Sequence, residues 1–121
     1  PLSDAGVDIF HCSQRRFWEP EFAGSELNLA GWTQKITGKP AITVGSVGLD
    51  ADFTPKPGEA HFKEADPASL DTLLHRLDQN EFELVAVGRA LISNPDWVNL
   101  VQAKRMDDLK PFRKEHLGEL V

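Results

Sequence analysis

The apolar positions of this chain fall into two alternating rhythms. Val7 to Ser13, Ala41 to Gly45 and Leu84 to Val87 are short, continuously apolar and β-branched. That pattern suits strands buried on both faces of a parallel sheet. Between them the spacing turns helical. Leu29, Trp32 and Ile36 fall at i, i+3 and i+7, and the segment closes at Gly38 with Pro40 beyond it, a normal helix stop. Leu70, Leu73, Leu74 and Leu77 form a second stripe, read as core, with Asp66-Pro67 supplying the N-cap and first-turn proline. Asn94-Pro95 repeats that start signal before Trp97, Val98, Leu100 and Val101.

Strands alternating with helices predict βαβ units and a parallel sheet. Two connections are longer than such units need: Gln14 to Glu26, and Leu49 to Ala65 with Pro55, Pro57 and Gly58. Both follow the C-terminal ends of strands, where α/β proteins place their ligand loops. The βα units occupy residues 1–105. The charged tail, 106–121, either packs as a helix or frays.

Composition narrows the picture by exclusion. At 121 residues, with 40% hydrophobic and 26% charged positions, the chain is long enough for one domain with a modest core. A formal net charge of −6 argues against nucleic acid or an anionic membrane surface as main partner. No apolar run is long enough to span a bilayer and no signal-peptide pattern is present, so the default location is the cytoplasm. The single cysteine, Cys12, forms no internal disulfide. The chain opens at Pro1, directly before a strand-like segment, and reads as a piece of something longer.

The candidate chemistry lies at two strand ends. Ala41 to Gly48 runs into Gly45, Ser46 and Gly48, and Leu84 to Arg89 runs into Gly88 and Arg89. Gly45, Ser46 and Gly48 admit two readings: backbone N–H groups and a hydroxyl lining a phosphate, or a turn that needs glycine. Arg89 taken alone is most often a surface cation. Side by side in a parallel sheet, the two ends form a phosphate cradle with one guanidinium, as in the loops after the last two strands of a βα barrel. Arg15, Arg16 and Trp18 lie on the loop after the first strand, with Phe17. They either contact a carboxylate or a nicotinamide cofactor's phosphates, or simply pack and solvate that loop, which is the commoner outcome. His11 and Cys12 fit buried strand positions. His61, His75 and His116 lack metal-ligand spacing, so no metal site is expected.

Four segments make the reading more specific. Phe10-His11-Cys12-Ser13-Gln14-Arg15-Arg16-Phe17-Trp18-Glu19-Pro20, Leu29-Ala30-Gly31-Trp32, Ile42 to Gly48, and above all Val87-Gly88-Arg89-Ala90-Leu91-Ile92-Ser93-Asn94-Pro95-Asp96-Trp97 resemble the C-terminal part of Old Yellow Enzyme family proteins. These are NAD(P)H:flavin oxidoreductases, or ene-reductases. The resemblance spans essentially the whole chain. It implies that the strands are the sixth to eighth of a TIM (β/α)8 barrel. It also implies FMN as cofactor, its phosphate held by Gly45, Ser46, Gly88 and Arg89 with Gly48 more peripheral, and Ala90 and Leu91 in van der Waals contact with the flavin.

The family's reductant is NADH or NADPH, and its substrates are α,β-unsaturated carbonyl compounds. The chain departs from the family in lacking tyrosine, the family's common proton donor, and no member of the carbonyl-binding pair is placed on it. His11 does not match that motif. No catalytic residue is therefore assigned, and the isolated chain is expected to be inactive. Less than half of a barrel of about 250 residues is present. Its open sheet predicts self-association or pairing with a missing N-terminal portion. The rival readings are a free-standing phosphate- or flavin-binding module without catalysis, and a structural, oligomerising half-barrel without a ligand of its own.

Overall fold

The computed structural model describes residues 1–52, 57–58 and 64–119. Its elements follow in the order β1 (Phe10–Ser13), α1 (Leu29–Thr37), β2 (Ala41–Val44), α2 (Asp71–Asp78), β3 (Leu84–Val85), α3 (Arg89–Ser93) and α4 (Trp97–Gln102). Two 3₁₀ turns, Met106–Asp108 and Lys114–Gly118, follow. The strands form a three-stranded parallel sheet in the order β1-β2-β3, so the chain is α/β with helices in the crossovers. It divides into two compact units: Pro1–Gly45 with Leu70–Ala86, and Ser46–Ser69 with Val87–Val121.

The first unit contains the sheet. Phe10 pairs with Ala41 and Cys12 with Thr43, which puts these residues on one face. Cys12, Ala41 and Thr43 are buried there. The Cys12 thiol lies 3.4 Å from Thr33 Oγ1 of α1, and Asn28 Nδ2 donates to Thr43 Oγ1 at 3.0 Å. The other face carries His11 and Ser13, both exposed, and Leu84 at 50%. The expectation of strands buried on both faces is corrected: one face is covered.

The first strand is also shorter than the apolar run from Val7. Residues up to Val7 close local turns, and the Lys39 ammonium takes the Val7 carbonyl, so the ladder starts with Phe10 N–H donating to Pro40 O. β3 likewise ends at Val85, its last rung the Ala86 N–H to Thr43 O bond of 2.9 Å.

Helix α1 ends at Gly38, as the glycine signal predicts, with φ 67. Its start is set by Asn28, which is fully buried and caps the Gly31 N–H at 2.8 Å. The buried face is not the predicted stripe. Ala30 and Gly31 are buried, because small residues let the helix approach closely, whereas Ile36 is 74% exposed. Trp32 stacks edge-on with Phe22, and Lys35 lies over its ring.

In α2, Leu70 and Leu73 are buried but Leu74 is half exposed. Arg76 takes the inward position instead, donating to Glu26 O at 2.9 Å and Trp18 O at 3.2 Å. Asp66-Pro67 does not cap α2, whose N-cap is Leu70. Pro67 bridges Leu49, and Asp66 N–H donates to Asp50 Oδ1. These contacts hold the dipeptide four residues short of the helix.

In the second unit the sequence analysis missed α3, a single short turn of helix. Asn94-Pro95 ends that helix rather than starting the next. Asn94 accepts from Lys110 N at 2.8 Å and donates to Lys110 O at 2.9 Å and Ala90 O at 3.2 Å. Helix α4 begins two residues later with Asp96 at the cap and buries Trp97 and Leu100. The tail neither frays nor forms an α-helix over its described residues. It bridges Ala65 through a fully buried Phe112.

Candidate functional site

Ser46, Gly48, Gly88 and Arg89 fall in one unit. The chain turns at Ser46–Leu49, closed by the Leu49 N–H to Ser46 O bond, and Val47 and Leu49 are buried beneath it. Ser46 adopts φ 54, a conformation that costs a non-glycine residue free energy. Its hydroxyl is anchored to the turn it begins, donating to Ala51 O at 3.1 Å. Gly48 lies against Trp97, where a Cβ would stand 3.2 Å from the indole ring.

Arg89 opens α3 and is about nine-tenths buried. Its guanidinium reaches across 43 positions of sequence to Ser46, with Nη2 at 3.4 Å from Oγ. The same nitrogen donates to Ala51 O at 2.5 Å, and Nη1 donates to Asp52 O at 3.3 Å. Phe112 packs its ring against the guanidinium at 5.5 Å. Burial pushes the Arg89 pKa below its ordinary value, and the negative charges of Asp52 and Asp50 oppose that shift. Gly88, in contrast, is exposed, and a Cβ there would meet nothing within 4 Å. The guanidinium and the Ser46 hydroxyl thus lie together, while Gly88, next to Arg89 in sequence, faces open space.

The remaining sequence candidates have other surroundings. Gly45 belongs to the sheet unit. It takes φ 145, and a Cβ would stand 2.4 Å from the Gln14 carbonyl oxygen, so glycine there satisfies a backbone requirement. Arg16 pairs with Glu19 at 2.7 Å, Arg15 is exposed, and Trp18 packs edge-on against buried Phe17. Trp18 also lends its carbonyl to Arg76. His11, expected at a buried position, is exposed, while Cys12 is buried. Ala90 is buried and Leu91 partly so. Pro55 and His61 lie outside the described residues. Among the described residues no group of three His, Cys, Asp or Glu side chains is placed to hold a metal ion. No helix among them is long and apolar enough to cross a membrane.

Three polar residues of this unit have structural roles that the sequence analysis did not assign. Asp52 is buried beside Arg89, Asn94 clamps Lys110, and Ser93 Oγ lies 2.8 Å from His116 Nδ1. Ser93 and Asn94 lie in the segment that carries the family resemblance, and Asp52 in the loop of a glycine-led strand end, but local pattern gave no partner for any of them. Comparison with protein-family models and with curated proteins returned no match to this sequence.

Proposed function

We infer that this chain carries the FMN phosphate site of an NAD(P)H-dependent flavin oxidoreductase of the Old Yellow Enzyme type, its sheet supplying the sixth to eighth strands of a (β/α)8 barrel. The observation that carries the reading is the meeting of Arg89 with Ser46, Nη2 to Oγ 3.4 Å, from two strand ends far apart in sequence. Arg89 would bind the phosphate by charge-assisted hydrogen bonds, Ser46 by its hydroxyl, and Gly88 by giving the ligand room to approach the backbone. Gly48 sets the turn that presents Ser46. When bound, FMN would supply hydride transfer at flavin N5 toward an α,β-unsaturated carbonyl substrate, with NADH or NADPH as reductant. The chain's own contribution is to anchor and orient the phosphate end of the cofactor. Arg15, Arg16 and Trp18 stand as candidates for the substrate loop. Leu84 and Ile9, each about half exposed, support self-association or pairing with a further barrel portion.

The test is an FMN fluorescence titration of the 121-residue chain with Arg89→Ala as control. Saturable binding weakened at least tenfold by the substitution is the expected outcome, because a charge-assisted contact to an anion is lost. Binding indifferent to Arg89→Ala would move the phosphate elsewhere and refute the site.

A further inference from the structure

Two residues from the segment after β3 grip the turn that follows β2. Arg89 reaches Ser46 at the start of that turn, Nη2 to Oγ 3.4 Å. Further along the same segment, Trp97 lays the edge of its indole against Gly48. A Cβ on Gly48 would stand 3.2 Å from Cζ2 and 3.4 Å from Nε1 of that ring. We propose that Trp97 is a positioning residue of the phosphate site, whose indole holds Gly48 in place and, through the turn, keeps the Ser46 hydroxyl beside Arg89.

This role rests on the phosphate reading and falls to a residue that does not itself touch the ligand. The turn needs an outside hold because of its backbone. Ser46 takes φ 54, which is costly for a residue with a side chain. Gly48 takes φ 71 without that cost, but it has no side chain with which to anchor itself. Two hydrogen bonds fix its main chain: Leu49 N–H to Ser46 O at 3.1 Å and Ala68 N–H to Gly48 O at 2.9 Å. The indole supplies the contact on the Cα side. Trp97 is 7% exposed, and its Nε1 is buried with no hydrogen-bond partner among the described residues. An unpaired buried donor costs free energy, so shape, not a hydrogen bond, orients this ring. The atom nearest Gly48, Cζ2, belongs to the outer ring of the indole. Leucine lacks that ring and phenylalanine only approaches its position.

The experiment titrates FMN and riboflavin, which lacks the phosphate, against the unmodified chain, Trp97→Leu, Trp97→Phe and Arg89→Ala. Trp97→Leu is expected to lower the preference for FMN over riboflavin about tenfold, with riboflavin affinity held within about twofold. Trp97→Phe should recover part of the preference. Equal loss of FMN and riboflavin binding would make Trp97 a packing residue and overturn the role. So would an unchanged preference in both Trp97 variants where Arg89→Ala abolishes it, and the phosphate site would then stand without Trp97. No preference for FMN in the unmodified chain, or one indifferent to Arg89→Ala, would overturn both. If Trp97→Leu does not fold by circular dichroism, or riboflavin binds none of the chains, the FMN affinity of Trp97→Phe decides. A fall supports the positioning role, and an unchanged value refutes it.

Discussion

Each of the two units of this chain is secured internally by its own chemistry. The unit with the sheet relies on regular backbone pairing, a capped helix and a few buried side chains laid across it. Asn28 and Arg76 are polar exceptions, and each serves several backbone or hydroxyl partners at once. The other unit has short helices, isolated bridges and 3₁₀ turns in place of a ladder. There the fold is secured by side chains that bond to distant backbone, Asn94 to Lys110 and Arg89 to Ala51 and Asp52, and by the Arg113–Asp66 ion pair. Backbone ladders tolerate substitution because the bonds belong to no particular side chain. Polar clamps do not, since deleting one partner leaves buried groups unpaired. The candidate phosphate site lies in the clamped unit, so its geometry depends on the identity of individual residues.

Substitutions at glycine and asparagine test that contrast most directly. The largest effect is expected at Gly45, in the sheet unit. Alanine there must push the Gln14 carbonyl away and hold a φ that side chains rarely adopt. Gly45→Ala should lower the unfolding free energy by about 3 kcal/mol in urea denaturation. A loss below about 1 kcal/mol would show that the strand end relaxes cheaply. It would also return Gly45 to the candidates for ligand contact.

Asn94→Ala comes next, at about 2–3 kcal/mol, because it strands the Lys110 N–H and the Lys110 carbonyl oxygen. If it proved as mild as an exposed substitution, the picture of a clamped unit would fail. The smallest stability effect belongs to Gly88→Ala, within about 0.5 kcal/mol, since the added methyl meets nothing within 4 Å. Its effect should appear instead in FMN affinity, where the methyl occupies the ligand's approach. A Gly88→Ala chain that binds FMN unchanged would remove that glycine from the cradle. Gly45 and Gly88, equivalent in the sequence as glycines at strand ends, thus separate into one held by the backbone and one facing open space.

The parts legible in the sequence were those written in local chemistry. Strand and helix alternation, the Gly38 stop and the central sheet residues Ala41 to Val44 all follow from runs and breaks within a few positions. So does the nomination of Ser46 and Arg89, which rest on a strand end followed by a polar group. What local pattern reports poorly is facing. Ile36 and Leu74 sit on apolar stripes yet point outward, because Ala30 and Arg76 serve the inner faces better: one by its small size, the other by its reach to two carbonyls. Asp66-Pro67 and Asn94-Pro95 look like helix starts, and both are used instead by partners elsewhere in their unit.

Sequence alone therefore determined the α/β class and the parallel sense of the strands, and it named Ser46 and Arg89 as candidates. Tertiary structure decided which glycine is exposed, and that Arg89 is buried against the Ala51 and Asp52 carbonyls. The physical reason is range. Periodicity and turn chemistry act over a handful of residues, whereas burial and charge pairing depend on groups that meet only after the chain has folded.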